Sequence, residues 1–159
     1  MKTLEQFLSE SIRPAVTSYG ADADMSNMQF RMHPEMDTTY FEVGGHYYMW
    51  GASPLNGNGD SYEIVFGASS IKSTDWNDYN VERVSTNNAA PVLGSVMYVT
   101  IEYIKFKPTI NEIVFSGFDS RLDRLYNAIL NSKNMKSSIE QLGFEYVGKR
   151  QGKFTITRT

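Results

Sequence analysis

The chain has no cysteine at any of its 159 positions. Disulfides, thiolate-bound metals and a cysteine nucleophile are therefore excluded. Histidine is nearly as scarce, with only His33 and His46. A metal site would need both together with carboxylates, and their separation fits no ligand motif, so each reads as a single exposed or half-buried side chain and no metal is expected. Charge is low: 15 Lys and Arg against 18 Asp and Glu leave a net charge of −3. Such a balance draws the chain neither to nucleic acid nor to an anionic membrane. Apolar runs are short and broken by polar residues, so nothing is long enough to span a bilayer. The N-terminus also lacks the continuous apolar core of a secretory signal.

What the chain does have is core-forming material. Hydrophobic residues make up 41% and aromatics 13%, the proportions of one folded domain rather than of a disordered tail. Residues 11–37 are polar and Met-rich, punctuated by Pro14 and Gly20, and read as a linker with at most one helical turn. From residue 38 the pattern becomes that of a domain. Phe41, Val43, Gly45, Tyr47 and Met49 alternate with Glu42, Gly44, His46 and Tyr48, which predicts one strand over Thr39–Trp50. The turn-rich stretch Ser53–Asp60 predicts a hairpin to a second strand at Ser61–Ala68. A weaker strand is expected within Tyr79–Ser85.

After Pro91 the period changes. Val92, Leu93, Val96, Met97, Thr100 and Ile104 recur at helical spacing, and Pro108 stops the helix. Ile110–Ser116 reads as a short buried strand. A helix capped by Asp119 or Ser120 follows, with Leu122, Leu125, Tyr126, Ile129 and Leu130 as its apolar stripe. A further helical piece carries Met135, Ile139 and Leu142, with Gly143 as the stop. Phe144–Val147 and Lys153–Arg158 form a closing hairpin. The fold class expected is α+β, a mixed and mostly antiparallel sheet with helices packed on it, in the order ββ(β)αβαββ.

Two resemblances add to this reading. Met1-Lys-Thr3, Phe7, Leu8 and Glu10 resemble the capsid-targeting leader of internal head proteins in T-even-type bacteriophages. The resemblance implies a leader at 1–10, cleavage between Glu10 and Ser11 guided by Leu8, and a mature protein inside the virion that is later delivered into the host cytoplasm. There it would act by binding a host protein of defence or transcription; remaining in the particle as a structural or assembly protein is the alternative. The same Leu4, Phe7 and Leu8 also suit one turn of an ordinary amphipathic helix.

The order of elements over residues 39–159 resembles the GCN5-related N-acetyltransferase fold. Arg124-Leu-Tyr126, Gln141-Leu-Gly-Phe144 and Gly148 resemble that family's closing helix and strand. The resemblance implies acetyl-CoA as cofactor, bound by an Arg/Gln-x-x-Gly-x-Gly/Ala loop before the first core helix. Aligned with Ala89–Gly94, that loop keeps only Gly94, and Pro91 removes a donor. On this alignment cofactor binding is lost, which argues against an enzyme without deciding it; an acetyl-CoA-dependent N-acyltransferase is the alternative. Tyr126 falls near the general acid of some acetyltransferases, and equally suits a core position.

The stretch Phe115–Tyr126 is also similar to one that recurs in uncharacterised phage proteins. Its Arg121 is a candidate for holding an anion, or a structural ion pair. Glu42, Asp60 and Glu63 are candidates for a carboxylate pair, or are simply solvated. The aromatic run of Tyr40, Phe41, Tyr47, Tyr48 and Trp50 must turn half its members away from one core. Tyr48 and Trp50 are therefore candidates for a protein-binding face, unless helices cover that side.

Overall fold

The computed structural model describes residues 17–19, 30, 35–43, 45–56, 59–80, 89–116 and 120–159. The leader residues Leu8, Glu10 and Ser11, together with His33, lie outside them. Seven strands form one sheet in the order β1-β2-β3-β4-β5-β7-β6. They are β1 (Thr17–Tyr19), β2 (Asp37–Val43), β3 (His46–Pro54), β4 (Ser61–Ser69), β5 (Glu112–Phe115), β6 (Phe144–Arg150) and β7 (Lys153–Arg158). Every neighbouring pair is antiparallel except β4 and β5, which are parallel. Helix α1 (Ala89–Phe106) connects these two, as a parallel pair requires. Helices α2 (Ser120–Leu130) and α3 (Lys133–Glu140) connect β5 to β6. The α+β class, with its mostly antiparallel sheet, is the one the periodicities indicate.

Registers decide which residues share a face. Thr39, Trp50 and Phe66 lie opposite one another across β2, β3 and β4, as do Phe41 with Tyr48 and Ala52 with Ile64. Ile64, Phe115 and Phe154 continue the row across β5 and β7. All three helices pack on this one face, and their apolar residues join it in a single core. The reverse face carries a smaller cluster of Tyr40, Met49 and Tyr79, flanked by Met36, Tyr47 and Trp76.

Helix α1 is rich in β-branched residues, which have modest helix propensity. Val92, Leu93, Val96, Met97, Val99, Ile101, Tyr103 and Ile104 are buried along it, so tertiary packing outweighs propensity. The hydroxyl of Thr100 donates to Val96 O at 2.7 Å and accepts from Trp50 Nε1 at 3.2 Å, fastening the helix to β3. Ser132 caps α3 by accepting from Met135 N at 3.3 Å. Gly143 follows that helix with φ +81, a conformation that glycine adopts without strain.

Two expectations are corrected. The strand expected over Thr39–Trp50 is two strands, β2 and β3, with Val43 paired to His46 across a tight turn. Gly45 sits in that turn at φ +79. Gly44-Gly45 is a hairpin signal that an alternation count passes over, because two glycines preserve the period of two. The linker expected at 11–37 is not one throughout. Thr17–Tyr19 pairs with Tyr40–Glu42 as the outermost strand, and Phe30 packs on the main core. The Phe30 ring lies 5.3 Å from Trp50 and 5.0 Å from Tyr103. The weaker strand expected at Tyr79–Ser85 reduces, among described residues, to one bridge between Asn80 and Ala68; residues 81–85 lie outside them.

Candidate functional site

The parallel junction is where the sheet opens. Strands β4 and β5 are in register from Ser61↔Glu112 to Ile64↔Phe115, and β4 then runs on to Ser69 without β5. Asn80 exchanges both backbone hydrogen bonds with Ala68, at 2.8 and 2.9 Å. Ala68 therefore turns its N–H and C=O away from β3, and by the alternation of an antiparallel pair Phe66 does the same. Between the last β5 pair and Asn80, the edge at Phe66 has no strand partner among the described residues. The gap lies beyond the C-terminal end of a parallel strand, the end at which open sheets containing parallel strands bind ligands.

Tyr126 of α2 stands over this gap. Its ring centroid is 6.4 Å from Phe66 on β4, 5.6 Å from Phe115 on β5 and 5.5 Å from Phe154 on β7. The side chain is 1% exposed and its hydroxyl has no hydrogen-bond partner among the described residues. Burial pushes its pKa far above the ordinary value. The hydroxyl is thus a protonated donor beside a strand edge that has no partner among the described residues.

A second candidate lies between α2 and the β6–β7 hairpin. The register shifts between Tyr146 and Lys149, and Gly148 has φ +88. Beside this bulge is a cavity of about 530 Å³ lined by Asp123, Arg124 and Asn127 of α2, by Asn131 just after that helix, and by Tyr146, Gly148, Lys149 and Phe154 of the hairpin. Lys149 Nζ lies 2.8 Å from Asp123 Oδ2 and 4.8 Å from the centre of the Phe154 ring.

Far from both, at the C-terminal end of α1, Asp37 binds two groups. Lys107 Nζ is 2.9 Å from Asp37 Oδ2, and the Tyr103 hydroxyl donates to the same oxygen. Lys107 also donates to the Tyr62 hydroxyl at 3.1 Å. Burial raises the Tyr103 pKa, and the hydrogen bond and charge of Asp37 raise it further. For Lys107, burial works downward, but hydrogen bonds to Asp37 and Tyr62 raise the pKa on balance. This cluster joins β2, β4 and α1 and reads as structural.

The residues singled out in the sequence fare unevenly. Tyr48 and Trp50 are 1% and 0% exposed, so they are core residues and not a protein-binding face. The helices cover the side to which they point. Gly94 is buried within α1. Ala89–Gly94 is therefore helix rather than the loop before it, and the alignment that placed a degenerate cofactor loop there is corrected. The segment preceding the helix is 81–88, outside the described residues. Arg121 lies in the first turn of α2, and its side chain is likewise outside them. His46 is exposed. Glu63 is held by Lys153 at 2.6 Å and by Ser116 at 2.9 Å. The sequence singled out Arg124 only within the closing-helix resemblance, and Asn127, Asn131 and Lys149 not at all; Arg124 and Asn127 lie beside the apolar stripe of α2, whereas Asn131 follows that helix and Lys149 lies on β6.

Comparison with protein-family models, curated proteins and solved structures finds no match to this chain.

Proposed function

We propose that this chain is an internal head protein of a T-even-type phage whose body takes acetyl-CoA in the gap between β4 and β5 and transfers its acyl group to an amine. The observation that carries the biochemical half of the reading is the unpaired β4 edge at Phe66, with the buried Tyr126 hydroxyl beside it. The pantetheine arm of coenzyme A is narrow, extended and amide-bearing, so it suits a strand edge that lacks a neighbour. In the acyl-transfer step the amine nitrogen attacks the thioester carbonyl, the carbon–sulfur bond breaks, and a thiolate leaves. Tyr126 would give its proton to that thiolate, the role its resemblance to the acetyltransferase closing helix implies, and would regain the proton that the amine nitrogen sheds as the amide forms.

With Ala89–Gly94 assigned to the helix, its poor match to a pyrophosphate loop no longer argues against cofactor binding. In the segment before the helix, Arg83-Val-Ser-Thr86-Asn-Asn88 supplies the basic position of the family pattern and departs from it at both glycine positions. The start of an 18-residue helix follows directly, and a helix N-terminus favours phosphate oxygens. With Tyr48 and Trp50 buried, the competing reading of a cofactor-free binding module keeps only Arg121 of the three residues that supported it.

The phage half rests on Met1–Glu10 and the leader it resembles. Two measurements test the halves separately. Acetyl-CoA at millimolar concentration should raise the melting temperature of the purified protein by ligand linkage; no shift sinks the cofactor reading. Mass spectrometry of purified particles should find a peptide beginning at Ser11. Presence of the protein in infected cells and absence from particles would sink packaging.

A further inference from the structure

The cleft beside α2 has the makings of a second site, independent of the gap between β4 and β5. Its opening is built into the backbone. The register shift between Tyr146 and Lys149 breaks the β6–β7 ladder facing α2, with Gly148 at φ +88 inside the break. Bulges of this kind are frequent beside binding sites, where they re-aim side chains. The result is a cavity of about 530 Å³, large enough for a small organic molecule.

Its lining is chemically selective. Arg124 is exposed, and no carboxylate among the described residues pairs with it. The other local charges, Lys149 and Asp123, neutralise each other at 2.8 Å. Among the described residues the cleft therefore holds one uncompensated cation, and it is a guanidinium, whose planar fork suits phosphate or carboxylate oxygens. Asn131 Nδ2 donates to Asn127 O at 2.8 Å and to Asn127 Oδ1 at 3.1 Å, which leaves the Asn127 amide N–H donors and the Asn131 carbonyl oxygen for the edge of a heterocycle. Tyr146, half-buried on the hairpin side, gives a ring against which a flat ligand stacks.

We infer that this cleft binds a nucleoside monophosphate, with the phosphate on Arg124 and the base between Tyr146 and the two asparagines. The pair of Lys149 and Asp123 is partly exposed on both sides, at 44% and 36%. Such pairs are weak, so Lys149 is able to leave Asp123 and add to the phosphate contact. The overall charge of −3 opposes a long polyanion and favours the free nucleotide over a nucleic-acid strand.

Isothermal titration of the full chain with AMP, adenosine and inorganic phosphate tests this. AMP should bind in the millimolar range or tighter, and more tightly than either fragment. Arg124→Gln should weaken AMP by about tenfold or more with an unchanged melting temperature, since Arg124 is exposed. Asp123→Asn should strengthen it by removing a negative charge and freeing Lys149. Saturating coenzyme A should leave AMP binding intact, which separates this site from the proposed cofactor gap. No heat with AMP, an unaffected Arg124→Gln, displacement by coenzyme A, or tighter binding of a single-stranded oligonucleotide would each overturn the inference.

Discussion

Trp50 Nε1 donates to Thr100 Oγ1 across 3.2 Å of fully buried core, joining the central β3 to the middle of α1. The same hydroxyl donates to Val96 O, so both polar groups of this buried contact are satisfied. Thr100→Val keeps the shape of the side chain and leaves the indole N–H unpaired. The expected loss is about 1–3 kcal/mol, the penalty of an orphaned buried donor. Urea unfolding of Thr100→Val, Trp50→Phe and the double variant measures it. The double variant should lose less than the sum of the two single losses, because one interaction is removed twice.

Asp37 is the anchor of the other buried polar cluster. Asp37→Ala strands the Lys107 ammonium beside two tyrosine rings and removes the acceptor of the Tyr103 hydroxyl. Breaking one side of a mostly buried pair is expected to cost about 3 kcal/mol. A urea midpoint within error of the parent protein would show that the cluster contributes nothing.

The same cluster sets a pH dependence with a definite sign. Tyr103, ordinarily at 10.0, and Lys107, ordinarily at 10.5, are both raised in the folded protein. Above those ordinary values the unfolded chain releases protons that the native state retains, so the unfolded state gains relative to the folded one. Stability from these groups is therefore fully present at neutral pH and declines as the pH rises past about 10. Urea midpoints across pH 7–11 should fall at the alkaline end, and less steeply in Tyr103→Phe.

Gly51 is fixed by a neighbour rather than by its backbone. A Cβ there would lie 2.3 Å from Met36 Sδ and 2.9 Å from its Cγ. Gly51→Ala should therefore destabilise by about 1–3 kcal/mol, the range for overpacking. Shortening Met36 to alanine should cancel most of that clash, which thermal unfolding of the double variant reads directly.

Tyr126→Phe separates stability from activity. The Tyr126 hydroxyl is buried without a partner among the described residues, so its removal should leave stability unchanged or raise it by about 1 kcal/mol. If the hydroxyl protonates a leaving thiolate, the same change lowers acyl transfer by about a hundredfold. A variant that is more stable and equally active would assign Tyr126 to the core alone.

Much of the architecture was legible in the residues themselves. The strand at Ser61, the helix broken by Pro108, the stop at Gly143 and the closing hairpin follow from period, proline and glycine, which act through local backbone sterics. Local rules also misled. The period of two runs unbroken through Gly44-Gly45, so the alternation hid a turn, and Thr17–Tyr19 is too short to give a period at all. Tyr48 and Trp50 were ambiguous because alternation fixes which residues share a face and not what covers that face.

The sequence by itself determined the class of fold, because local periodicity and chain punctuation are properties of neighbouring residues. Only the tertiary structure decided where the sheet opens, that Tyr126 stands over the opening, and that Arg124 and Tyr146 face one cleft. Those relations join residues far apart in the chain through strand register and helix packing, and no local pattern encodes a distance across a sheet.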